Sequence, residues 1–369
     1  MPILRGGASD FTATVRAGAE SNGAVSDANS VAAGGSASKK SSSGGGVRGS
    51  AGAGAVVTQS AVAKSSGLQP FFARMTSNSS GPTAKVVTWS QKSNMPVDTF
   101  VTAFVNGNTI VAYSLTKMHY SLNNGVTWQF KTVASGWGEE FQTYSMSRNG
   151  VWAAVARRSG NYWVDIFVFN LVTGNTYTVT PSASLGAAYG ITAVAIANNG
   201  NLAYAIFFGG TFKCPFNTTA YGASTNLGGG NPQATVISDD GNTIYYGRVK
   251  YSGGSSVVVS GTSSTDLNLA GDSTLSTLIS TPMTSIIYLR IDGQLTTTAT
   301  PNKISNGYCS EDGSVIVASS VGVWMTTNKG TTWTKSLATQ TLKHCSVSSE
   351  GSNLLAVTSS GVVWQGVYA

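Results

Sequence analysis

Charge is what this sequence has least of. Only 10% of its 369 residues are Asp, Glu, Lys or Arg, against roughly 25% in a typical soluble domain. That scarcity argues against long salt-bridged helices and coiled coils, and it leaves Ser, Thr, Asn and Gly to cover the surface. Cysteine is scarce too. Cys214, Cys309 and Cys345 are an odd number without a Cys-x-x-Cys spacing, which argues against a disulfide scaffold and a zinc site. The two histidines, His119 and His344, stand far apart, so no metal or cofactor is expected. No apolar run approaches the ~18–20 residues of a membrane-spanning helix. The opening residues MPILRGGASDFTATV lack the apolar core of a secretory signal, and Asp10, Glu20 and Asp27 speak against a transit peptide. The net charge of +7 is spread thinly, with only Lys39-Lys40 and Arg157-Arg158 adjacent. A nucleic-acid binder concentrates its positive charge along a phosphate track, so none is expected here.

What is abundant divides the chain in two. Residues 1–67 contain 40 Gly, Ser or Ala and a single aromatic, Phe11. Such a segment buries too little apolar surface to offset its ordering entropy and reads as an arm that needs a partner to be ordered. A short apolar cluster with Leu68, Phe71, Phe72 and Met75 follows, either a linker packed on the body or an anchor for a partner. The arm is bounded at 1–82. From 83 to 369 the chain holds all eight Trp, and β-branched runs are broken by Asn-Gly and Asp-Gly, the signature of strands and hairpins.

Within the second region one unit recurs: an apolar residue, Ser or Ala, any residue, Asn/Asp/Glu, Gly, then a β-rich run. It appears at Met146–Gly150, Ile196–Gly200, Ile237–Gly241, Cys309–Gly313 and Val347–Gly351, with a shortened copy at Phe104–Gly107. The Asx-Gly step supplies the positive φ that a tight antiparallel hairpin requires. A second unit reads Ser/Thr-x-Asn-x-Gly-x-Thr-Trp, with Ser121, Asn123, Gly125 and Trp128 in one copy and Thr326, Asn328, Gly330 and Trp333 in the other. These octets resemble the Asp-box, or BNR, repeat of sialidase-like β-propellers, with Asn in the usual Asp position. The resemblance implies a hairpin between the third and fourth strands of a blade, on the face away from the ligand site, with Trp filling the gap between blades.

The unit glycines 107, 150, 200, 241, 313 and 351 are spaced by 43, 50, 41, 72 and 38, where a four-stranded blade takes about 40–50 residues. The long interval reads as one blade with an insertion near 252–282. The fold expected is therefore an all-β, six-bladed β-propeller, or seven-bladed if the insertion hides a blade, with a long low-complexity N-terminal arm. The last unit runs out after three strands, so a strand at 85–90, carrying Trp89, is expected to complete it and close the ring. Closure leaves no open edge between first and last blades.

Catalytic residues do not stand out. A sialidase-like site would need an arginine triad, a Tyr–Glu pair and an acid Asp, and the arginine-bearing N-terminal motif is absent. Glu139 and Glu140 are the paired carboxylates in a loop able to reach the front, but adjacent strand-like residues point apart and make a poor acid–base pair. The front face is expected to be built from second-to-third-strand loops and blade connections. Its candidates are Trp137, Glu139, Glu140, Arg157, Arg158, Tyr162, Tyr189, Lys250 and Tyr251. Aromatic and arginine side chains together can stack on sugars or anchor a protein. The sequence thus reads as a non-enzymatic structural or recognition component of a larger particle, with a virion or an extracellular surface the favoured setting. Its arm would dock into neighbouring protein subunits. The alternative is a glycan-binding or divergent sialidase-like glycoside hydrolase.

Overall fold

The computed structural model describes residues 14–16, 86–132, 139–159, 162–181, 190–207, 209–228, 232–259, 269–280, 286–292, 294–299, 304 and 306–369. Among them there is no helix, and none therefore long and apolar enough to cross a membrane. Those from residue 86 onward form a ring of antiparallel four-strand repeats. β1 (Thr14–Arg16) and β2 (Val86–Gln91) precede the first repeat, β3 (Thr102–Asn106), β4 (Thr109–Tyr113), β5 (Lys117–Ser121) and β6 (Gln129–Thr132). The second holds β7 (Glu139–Met146), β8 (Trp152–Ser159), β9 (Tyr162–Asn170) and β10 (Thr176–Val179). The third holds β11 (Ile191–Ile196), β12 (Leu202–Ile206), β13 (Gly210–Cys214) and β14 (Thr225–Gly228). In the fourth are β15 (Thr235–Ile237), β16 (Ile244–Tyr246), β17 (Val249–Ser252) and β18 (Ser255–Val258). The fifth follows with β19 (Leu269–Gly271), β20 (Thr277–Ser280), β21 (Ile286–Ile291) and β22 (Gln294–Ala299). The remainder is β23 (Asn306–Cys309), β24 (Ile316–Thr326), β25 (Thr334–Val347), β26 (Asn353–Thr358) and β27 (Val363–Tyr368).

Hydrogen bonds join these strands into six sheets, five of four strands and one of seven. The seven-stranded sheet serves two repeats. β24 pairs with β23 through Ile316–Ser319 and with β25 through Val323–Met325. β25 then passes Leu337, at φ 47°, and pairs with β26 through Leu342–Val347. Six blades were expected from the glycine spacing; six sheets are present, and the seven-stranded one carries two four-strand repeats. One expectation is corrected: the interval from Gly241 to Gly313 is not a single blade with an insertion but two separate sheets, β15–β18 and β19–β22. Its hidden first turn is Asp272-Ser-Thr-Leu275, whose 3.2 Å bond from Leu275 N–H to the Asp272 carbonyl matches those of Gly241 to Ser238 and Gly313 to Ser310. Leu275 holds φ 60°, the conformation glycine takes elsewhere. Sequence comparison keyed on glycine passes over it.

Burial confirms the ring. Each neighbouring pair of repeats shares its own apolar cluster, from Phe104 and Tyr113 against Val155 and Phe169 round to Leu355 and Val357 against Ala103 and Ile110. At the seam β2 pairs with β27, Trp89 opposite Gly366. Trp89 is 1% exposed, and its indole N–H donates to the Ser336 hydroxyl of β25. A buried aromatic of this size costs about 3–5 kcal/mol to truncate. β1 pairs with β2 as a further antiparallel strand, Val15 opposite Val87.

The two Ser/Thr-x-Asn-x-Gly-x-Thr-Trp octets form matching turns, one between β5 and β6 and the other between the halves of β24 and β25 that pair. Asn123 Oδ1 accepts from the Ser121 hydroxyl at 2.8 Å and from Thr127 N–H at 2.9 Å. Asn328 Oδ1 accepts from the Thr326 hydroxyl at 2.8 Å and from Thr332 N–H at 2.9 Å. Gly125 and Gly330 both sit at φ 82°, and their N–H groups donate to Ser121 Oγ and Thr326 Oγ1. Trp128 packs between the last and first repeats and Trp333 between the fifth and sixth.

Candidate functional site

The first strand of every repeat lines a central channel of about 410 Å³. In an antiparallel repeat the first-to-second and third-to-fourth turns share one end of the channel, and the second-to-third turns and repeat connections share the other. The turn end is laced by hydrogen bonds between successive first turns. Asn198 N–H donates to the Asp239 carbonyl at 3.0 Å, Asp239 N–H to Ser273, Ser273 N–H to Glu311, and Glu311 N–H to Ser349, each at 2.9 Å. Ser349 N–H closes onto Asn106 Oδ1 at 3.0 Å.

Arg148, at the same turn position in the second repeat, bridges to the far side. Its Nε donates to Asp239 Oδ1 at 3.3 Å, Nη1 to the Cys309 carbonyl at 2.7 Å, and Nη2 to the Gly271 carbonyl. One guanidinium thereby ties the second repeat to the fourth, fifth and sixth. Burial pushes the Asp239 carboxyl above its ordinary range; Arg148 opposes this and Glu311 adds to it.

The wall of the channel is aromatic on one side. Phe104 lies 4.9 Å from the His344 ring and 5.5 Å from Tyr308 between ring centres, and Tyr144 lies 4.9 Å from Tyr113. Burial drives His344 down to about 3, the Ala103 carbonyl offsetting only part, so its imidazole is neutral at physiological pH. Burial pushes the Cys309 thiol up to about 12, and raises Cys345 and the Tyr308 hydroxyl further. These groups keep one protonation state across the physiological range. They make a fixed surface of ring faces and hydrogen-bonding atoms, with exposed Lys343 in the lining toward the end opposite the turns.

The structure places Glu139, Glu140, Arg157, Arg158 and Tyr162 at one end of β7–β9 in the second repeat, and Lys250 and Tyr251 in the fourth. Arg157 lies on β8 opposite Asp165 on β9, bonded to its carboxylate at 2.8 Å, with its guanidinium 5.3 Å above Phe167. The Thr180 hydroxyl holds the other oxygen of Asp165 at 2.7 Å. Two positions expected in loops are corrected. Glu139 and Glu140 open β7 and pair with Ser159 and Arg158. Lys250 and Tyr251 lie within β17, Lys250 5.6 Å over the Tyr245 ring and Tyr251 packed beside Ile244 and Tyr246. Arg158 and Tyr162 flank the second-to-third hairpin of the second repeat. Trp137, Tyr189 and the anchor residues Leu68, Phe71, Phe72 and Met75 lie outside the described residues.

His119 is held by packing, its Nε2 bonded to Asp98 Oδ2 at 2.8 Å and its ring edge-on to Phe100. Burial works against the Asp98 carboxylate, but bonds from His119, Thr99 and Ser114 outweigh it and hold its pKa low. Among the described residues no three His, Cys, Asp or Glu side chains cluster as a metal site. Sequence reasoning missed Arg148 as a site residue. Its signal was present: it is the one cation at a turn position that carries Asn, Asp, Ser or Glu in the other repeats.

No protein-family model matches the chain, and no curated protein matches it. Solved structures do. The β-propeller domain of Myceliophteria thermophila Cps50 (Swd1) has a TM-score of 0.60 at 11% identity, covering 76% of this chain and 100% of that one. A chain from the crystal structure of a mitotic checkpoint complex has a TM-score of 0.58 at 10% identity, covering 76% of this chain and 90% of that one. At such identities the likeness is one of fold, and the fold is a β-propeller.

Proposed function

We propose that the protein is a non-enzymatic β-propeller, a structural or recognition subunit of a larger particle such as a virion or cell-surface assembly. In this reading it has seven blades and belongs with the Asp-box propellers, and its arm engages neighbouring subunits. The observation that carries the reading is the seam. The ring is completed by β2, the strand that follows the Gly/Ser/Ala-rich arm in sequence, so residues 1–67 can be removed without removing a strand of the ring. The test is to compare what co-purifies with the full-length chain and with a chain lacking residues 1–67. Loss of partners by a shortened chain that keeps its β-sheet spectrum and melting transition supports the proposal. Retention of the same partners overturns it.

A second reading, glycan binding or divergent sialidase-like hydrolysis, draws on the ring faces of Phe104, Tyr144 and Tyr308 in the channel. Turnover of fluorogenic sialosides that is lost in Glu139→Gln or Glu140→Gln would favour the hydrolase, and hits on a glycan array would favour the lectin.

A further inference from the structure

The inner edges of the first strands are satisfied on one side of the channel and bare on another. Where a first strand carries a side-chain oxygen, that oxygen reaches a backbone N–H of the next repeat. Thr143 Oγ1 accepts from Val194 N–H at 3.2 Å, Ser145 Oγ from Ile196 N–H at 3.3 Å, and Asn306 Oδ1 from Cys345 N–H at 3.2 Å. The third and fourth repeats hold Ala193, Ala195, Ala234 and Val236 at the matching positions, and none of these side chains has an oxygen to offer. The amides left unmet are Thr235 and Ile237 on β15 and Leu269 and Gly271 on β19, all in the channel lining. Both are edge strands. Ser238 N–H pairs away from the channel with the Thr243 carbonyl and Asp272 N–H with the Thr277 carbonyl, each at 2.9 Å. Pairing alternates along an antiparallel strand, so the N–H groups of 235, 237, 269 and 271 turn to the channel instead.

Buried backbone N–H groups are almost always paired, so four of them on two adjoining strands call for acceptors. The side chains of the lining supply none. Among the described residues its one carboxylate, Asp239, is bonded to Arg148, which also takes the Gly271 carbonyl. What stands beside the amides is more donors: Lys343 Nζ at the open end and the Asn306 amide nitrogen have no partner among the described residues. A cation entering the channel would meet Lys343 and Arg148 and find no free carboxylate. Bare sheet edges form concavities that take anions. Elsewhere on the wall Tyr144 and Tyr308 present half-buried rings. The volume of about 410 Å³ falls within the roughly 300–1,000 Å³ of small-molecule sites.

We infer that the channel binds a small organic anion, its carboxylate on the Thr235, Ile237, Leu269 and Gly271 amides and its apolar part against Tyr144 and Tyr308. The inference depends on neither the arm nor a glycan, each of which has its own test above. Benzoate is the probe, with uncharged benzyl alcohol beside it, titrated into the full-length protein and followed by calorimetry and by amide NMR. The result expected is saturable benzoate binding that shifts these four amides, and no binding of benzyl alcohol. Ala195→Ser should give Ile237 N–H the hydroxyl that Ser145 gives Ile196, and so weaken benzoate about fivefold. Lys343→Ala, at an exposed site, should weaken it about threefold. Lys329→Ala, outside the lining and exposed in the Asn328 turn, should change nothing. Absence of saturable binding would leave the channel to solvent and overturn the proposal, as would equal binding of benzyl alcohol or shifts confined to residues outside the channel. So would an Ala195→Ser chain that keeps its melting transition and binds benzoate as well as the original.

Discussion

The first turns of the fifth and sixth repeats reach one geometry by two chemistries. In the sixth, Ser310 and Asp312 divide the work: Val315 N–H donates to Ser310 Oγ at 3.0 Å and Ser314 N–H to Asp312 Oδ1 at 2.9 Å. In the fifth, the Asp272 carboxylate does both, accepting from Thr277 N–H at 2.6 Å and from Ser276 N–H at 2.9 Å. The left-handed position is Gly313 in one and Leu275 in the other. Gly313 has no room for a side chain, since a Cβ there would meet Thr277 Oγ1 at 2.5 Å. Leu275 instead buries its side chain with Tyr245 and Leu278. A repeat is thus specified by its hydrogen-bond acceptors and backbone conformation, and different residues can supply both.

The fifth turn depends most on Asp272, which is 3% exposed. Replacing it with Ala orphans several backbone donors and should cost about 3–5 kcal/mol, read from chemical denaturation. Gly313→Leu should cost about 2–4 kcal/mol through strain and overlap, which shows that the two turns are not interchangeable. Leu275→Gly relieves strain but empties a packed site, and the net loss should be about 1–2 kcal/mol. Ser310→Ala removes one neutral acceptor and should cost about 1 kcal/mol; a loss equal to that of Asp272→Ala would refute the division of labour.

Acid sharpens the same contrast. Burial opposes the Asp272 carboxylate, but bonds from Ser276 and Thr277 outweigh it and hold its pKa below the ordinary value. Its contribution is fully present above the unfolded pKa of about 3.9 and is lost as pH falls through the folded value. Asp272→Asn should therefore flatten the acid limb of the stability curve.

These two turns also explain what could be read in advance. The six glycine turns and both Asn-centred octets were legible because a positive φ selects Gly and a side-chain acceptor selects Asx or Ser. The fifth repeat was not, because Leu275 spends strain for burial and Asp272 replaces two residues of the pattern. The candidate face suffered from a different limit. Arg157 and Lys250 look exposed in one dimension, and only cross-strand pairing brings Asp165 and Tyr245 to them. The channel wall is assembled from seven short strands, whose convergence no local pattern encodes.

The amino-terminal strand of the propeller seals the ring against the last one. Native-state hydrogen exchange of the Val86–Gln91 and Val363–Tyr368 amides tests it most directly. Both strands should be protected and should open with one shared free energy close to that of global unfolding. Unprotected amides throughout Val86–Gln91, beside a protected β26 and β27, would contradict it.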